Sequence, residues 1–136
     1  MKTIKVYISL PITGQESTVM ERCLKANQQI KWLFAASDTE DCGLEVVYPL
    51  GVEKIGTPEQ DNTKPLSHWI GEDIKLLMEC DAVYFCEGYA ESRGCQLEHK
   101  CASLYQKTIL NQSHTYLTTV DNISELEELV NKRKAE

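Results

Sequence analysis

Short apolar runs alternate with stretches of helical period along most of the chain, and this alternation limits the fold more than any other feature. Residues 4–9 read as a first strand, closed by the breakers Pro11-Ile12-Thr13-Gly14. Residues 16–36 read as a helix, with Val19, Met20, Cys23, Leu24, Ile30 and Phe34 near helical spacing. A second strand is expected over 44–48, stopped by Pro49. Residues 49–64 hold Gly, Pro, Asn and Thr without a period, as binding loops often do. Pro65 suits the first turn of a helix running to about residue 80. Residues 82–86 form a continuous apolar run of the kind found in buried parallel strands. A turn over 87–93, a helix over 94–106 and a fourth strand over 107–111 follow, then a weaker fifth strand over 115–120. Ser124-Glu125-Leu126-Glu127 has the form of a capping box for a last helix, with Leu126, Leu129 and Val130 inward and residues 131–136 as a frayed tail. The expected architecture is one α/β domain over residues 1–136, a three-layer arrangement around a mostly parallel sheet of about five strands. In such sheets ligands bind beyond the carboxyl ends of the strands, which singles out residues 10–14, 49–64 and 87–94.

Charge narrows the partners. A formal net charge of −7 argues against a binder of nucleic-acid polymers, which usually presents a basic face. No stretch approaches the apolar length of a membrane span, and residues 1–8 make a short strand rather than a signal peptide. Six cysteines without a CxxC pair then read as reduced thiols in a cytoplasmic protein, with no zinc site. Phosphate-loop, dinucleotide and zinc-protease motifs are missing, and no cofactor is expected.

Two carboxylates stand on unusual faces. The helical neighbours of Glu98 are Gly94, Cys95, Cys101 and Ala102, all small and uncharged. Those of Asp73 are Trp69, Ile70, Leu76 and Leu77, all apolar. Burying an unpaired carboxylate costs several kcal/mol, so such groups are usually partnered or functional. Both helices follow loops at the expected ligand edge, so both acids can reach one crevice. Paired carboxylates in a partly apolar pocket suit glycosidic chemistry, one as nucleophile and one as proton donor. Capping of loop amides is the structural alternative for each. The turn Glu91-Ser92-Arg93-Gly94 opens the Glu98 helix, where free amides favour an anion and Ser92 either adds a donor or simply caps the helix.

These residues resemble a known family. Val6-Tyr7-Ile8-Ser9-Leu10-Pro11-Ile12-Thr13-Gly14 resembles the first strand and loop of the nucleoside 2-deoxyribosyltransferase superfamily. Asp73, followed by Asp81 and Ala82-Val83-Tyr84-Phe85, resembles its middle segment. Ser92-Arg93-Gly94-Cys95-Gln96-Leu97-Glu98, with Ala102 and Gln106-Lys107-Thr108-Ile109-Leu110, resembles its Ser-x-Gly-x-x-x-Glu helix and the strand after it. The likeness runs from about residue 4 to 111 and is nearest to small bacterial and phage members.

It implies a flavodoxin-like fold and cleavage of the bond between base and sugar. The residue matching Glu98 attacks the anomeric carbon, Asp73 assists at the base or the nucleophile, and Tyr7 orients the nucleophile. Ser92, where nucleoside-transferring members carry Asp, matches the serine of deoxynucleoside 5′-monophosphate hydrolases. The implied ligand is therefore a nucleotide or nucleoside held by Ser9, Leu10, Pro11, Ile12, Gly14, Gly88, Ser92 and Gly94. Leu10 and Pro11 depart from the polar loop of phosphate-binding relatives, and the segment that completes the transferase site from a neighbouring subunit has no counterpart. A homo-oligomer, dimer or larger, is the family habit. Two other functions stay open: a non-catalytic nucleotide binder, and a glutamate-dependent hydrolase of NAD-type ligands.

Overall fold

In a computed structural model, residues 2–12, 14–39, 41–49, 66–112 and 115–136 are described. The expected loop over 49–64 falls outside them from residue 50 onward, as does Thr13. Strand β1 spans Lys2–Ser9, α1 Val19–Ala36, β2 Cys42–Val47 and α2 Leu66–Met78. Strand β3 spans Ala82–Phe85, α3 Arg93–Leu104, β4 Thr108–Asn111 and α4 Tyr116–Lys134. Single turns of 3-10 helix at Glu16–Thr18 and Tyr89–Glu91 lead into α1 and α3.

Among the described residues, the four strands are parallel and lie in the order β2-β1-β3-β4. This is the flavodoxin-type order, and its direction of winding reverses between β1 and β3. Residues Val6 to Ser9 of β1 are fully buried because helices cover both faces of the sheet. Ile4, Val6, Ile8, Ala82, Tyr84 and Leu110 pack against α1 and α4 on one face. Tyr7, Val83 and Phe85 pack against Leu77 of α2 and Ala102 of α3 on the other. The result is a three-layer α/β/α domain. Because side chains alternate along a strand, Ser9 shares the α2–α3 face with Tyr7.

The expected fifth strand does not form. Residues 116–120 open α4 instead, capped by Thr115, whose hydroxyl accepts from the Thr118 N–H at 3.2 Å. Their β-branched content suits a strand, but the inward stripe of α4 begins a turn earlier than Leu126 suggests, at the buried Asn122. The capping-box residues Ser124 to Glu127 therefore lie inside the helix, and the Glu127 carboxylate accepts from the Asp38 N–H at 2.8 Å. Asn122 explains how the sheet ends without a fifth strand. The Asn111 N–H donates to Asn122 Oδ1 at 3.0 Å, and Asn122 Nδ2 donates to the Asn111 carbonyl at 2.7 Å. One carboxamide thus satisfies both backbone groups that a further strand would pair.

The sheet's amino edge is tied separately. Asp81, ahead of β3, accepts from the Lys5 N–H at 2.9 Å and lies 3.8 Å from the Arg133 guanidinium. Asp81 is therefore a structural group at the end of the sheet away from the crevice. Among the described residues, no helix is long and apolar enough to cross a membrane.

Candidate functional site

Helix α3 starts where β3 leaves the sheet. Gly88 turns the chain with φ at 86°, a conformation glycine adopts without strain, and the 3-10 turn Tyr89–Glu91 hands over to Ser92. Ser92 is the N-cap, its hydroxyl accepting from the Cys95 N–H at 3.4 Å. From there the inward stripe of α3 is Cys95, Glu98 and Ala102, so a glutamate stands in a row of small buried residues.

Glu98 is only 7% exposed. Tyr7 Oη donates to Glu98 Oε2 at 2.5 Å, and Ser9 Oγ donates to Oε1 at 2.8 Å. Two hydroxyls, two residues apart on one face of β1, therefore hold one carboxylate oxygen each. Neither donor carries charge. Burial accordingly outweighs the two hydrogen bonds and pushes the Glu98 carboxyl up from its ordinary 4.5 to about 7. The Tyr7 hydroxyl is held well above its ordinary range, first by burial and then by the negative charges of Glu98 and Asp73. Asp73, half-buried on α2, thus acts electrically on the same hydroxyl that grips Glu98. Tyr7, Ser9 and Glu98 come together beside the β1/β3 switch point, with Asp73 near enough for its charge to act on Tyr7.

The other expected residues are placed less uniformly. Leu10 and Pro11 are buried and Ile12 is half-buried, with Leu10 and Ile12 in the α1–α4 core. Gly14 has φ at 81° and Gly88 is exposed, so both answer to chain geometry. At Gly94 an added Cβ would meet nothing within 4 Å, so space does not demand glycine there. Ser92 and Gly94 do sit at the N-terminus of α3, whose free amides face the strand ends.

Three features were not legible beforehand. Arg22 Nη2 donates to the Pro11 carbonyl at 2.6 Å, fixing the loop after β1 from the second turn of α1; nothing in the spacing pairs these residues. His99 is half-buried, stacked on Tyr89 with centroids 5.5 Å apart and tilted against Phe85 at 4.8 Å. Burial raises the pKa of the Cys95 thiol, and the Ser9 and Ser92 hydroxyls offset part of that rise. All six cysteines are free. A cavity of about 280 Å³ opens beside this turn at the ends of β3 and β4, walled by Phe85, Tyr89, Glu91, Asn111 and Gln112; Glu98 is not in its wall. Among the described residues, no three His, Cys, Asp or Glu side chains are arranged to hold a metal ion.

Fold and site together define a class: a flavodoxin-type α/β domain with a hydroxyl-held, buried glutamate at the carboxyl edge of its sheet. Residues 4–111 match the model of a family described as a domain of unknown function (DUF4406), and the chain belongs to that family. Comparison with curated proteins and with solved structures finds no match.

Proposed function

We propose that the protein cleaves or transfers the N-glycosidic bond of a nucleotide or nucleoside, with Glu98 as the nucleophile at the anomeric carbon. The observation that carries this reading is the burial of Glu98 with each oxygen held by an uncharged hydroxyl of β1. A carboxylate so poorly solvated gains by meeting the positive charge that develops on the sugar. Tyr7 holds the nucleophile in place, and Asp73, charging the same spot from α2, is the second acid of the pair. Attack forms a bond from a Glu98 oxygen to C1′ and breaks the bond to the base, which leaves with a proton. Water or a second base then releases the sugar. Ser92 in place of Asp, at the N-terminus of α3, favours a 5′-phosphate on the ligand.

The proposed setting follows the resemblance to the nucleoside 2-deoxyribosyltransferase superfamily: a cytoplasmic hydrolase or transferase, needing no cofactor, assembled as a homo-oligomer. The test is incubation with deoxynucleoside 5′-monophosphates, deoxynucleosides and NAD, with chromatography for free base. Base released by the wild type and not by Glu98→Gln is the expected result. Ligand-induced thermal stabilisation without release makes the protein a binder instead. Nicotinamide release alone moves the substrate to NAD-type ligands.

A further inference from the structure

Ser9 is fully buried, and its one hydroxyl proton is given to Glu98 Oε1 at 2.8 Å. A serine hydroxyl rotates to suit its surroundings, and the carboxylate is the acceptor to which this one has turned. Tyr7 meanwhile holds the other oxygen.

We propose that Ser9 is a positioning residue for Glu98, its hydroxyl and that of Tyr7 holding one oxygen each, so that the carboxyl keeps one orientation. A substrate-binding role for Ser9 would need its hydroxyl free, and here it is committed. The charged and titratable groups around this contact come from every neighbouring element. They are Tyr7 on β1, Cys95 on α3, Asp73 on α2 through its charge on Tyr7, and Arg22 on α1 through its charge on Cys95. The catalytic consequence rests on the proposed function; the positioning itself does not.

The experiment is carboxyl NMR on protein labelled with ¹³C at the glutamate carboxyls, Glu98 being assigned by its loss in Glu98→Gln. The Ser9 hydrogen bond favours the charged carboxyl. Ser9→Ala is therefore expected to raise the Glu98 titration midpoint by about one pH unit, the size of a lost hydrogen bond to a charged group. Ser9→Cys keeps a weak donor of similar size, and shifts the midpoint the same way by less. An unmoved midpoint in Ser9→Ala, or in Ser9→Cys should Ser9→Ala not fold, overturns the assignment. If nucleotides are turned over, Ser9→Ala lowers kcat at pH 7 about fivefold, as a midpoint moved from about 7 by one unit implies, with KM unchanged. If the wild type releases no base from any nucleotide, the proposed function fails while the titration still decides the role of Ser9.

Discussion

Replacing Glu98 by Gln is expected to make the fold more stable at alkaline pH while removing its reactive group. In the unfolded chain this carboxyl titrates near its ordinary 4.5, and in the fold at about 7. A raised pKa means that the folded state binds the proton more tightly. The stability gained from that proton is complete below 4.5 and is lost as pH rises through about 7. Across the whole window the loss amounts to about 3 kcal/mol, and between about pH 5 and about pH 8 to roughly 2–3 kcal/mol. Glutamine imitates the protonated acid, and Tyr7 and Ser9 can each turn to meet its amide. The assay is urea unfolding of both proteins at the two pH values, with stability taken by linear extrapolation. Tyr7 and Cys95, whose pKa values the charge of Glu98 raises, stay protonated across this window, so the difference between the two chains isolates Glu98. The variant should match the wild type within about 1 kcal/mol in acid and exceed it by roughly 2 kcal/mol or more in base. Parallel pH curves would refute the claim that Glu98 is held in an environment hostile to its charge.

Tyr7→Phe keeps the buried ring and removes the donor to Oε2, so the Glu98 midpoint should move further above about 7. Activity, expected to rise with pH through about 7 as Glu98 ionises, should then shift to higher pH and recover in alkali. A rate that instead falls through that range would make Glu98 the proton donor. Asn122→Leu leaves two backbone groups of Asn111 unpaired at a strand edge and should cost about 2 kcal/mol in denaturant unfolding; a cost within error would show that water replaces the carboxamide. Gly88→Ala should cost about 1–2 kcal/mol from the left-handed backbone alone, because the added Cβ would stand at an ordinary 3.6 Å from Pro11 Cγ. Gly88→Asn, which tolerates that conformation, should recover part of the loss in melting temperature.

Elements with one dominant period were readable from the sequence: β1, α1, β3 and α3 lie within a few residues of their expected bounds. Glu98 was readable because small neighbours at helical spacing place it on the packed side. The end of the chain was not, since Thr118, Thr119 and Val120 carry strand propensity and the polar Asn122 conceals the first turn of an inward helical stripe. The partners of Glu98 were only half legible. Tyr7 and Ser9 were marked by the resemblance, but that each takes one carboxylate oxygen depends on how α3 lies across β1, which no local pattern encodes. Arg22 reaches Pro11 from eleven residues along the chain, a pairing that spacing does not express.

The central claim is a covalent bond between Glu98 and a sugar. It is tested most directly by quenching the protein in acid during incubation with deoxynucleoside 5′-monophosphates, then weighing the intact chain and its peptides. The predicted result is a mass gain of one deoxyribose phosphate on the peptide carrying Glu98, accompanied by free base and absent in Glu98→Gln. Base release with no adduct at that peptide, or an adduct that persists in Glu98→Gln, contradicts it.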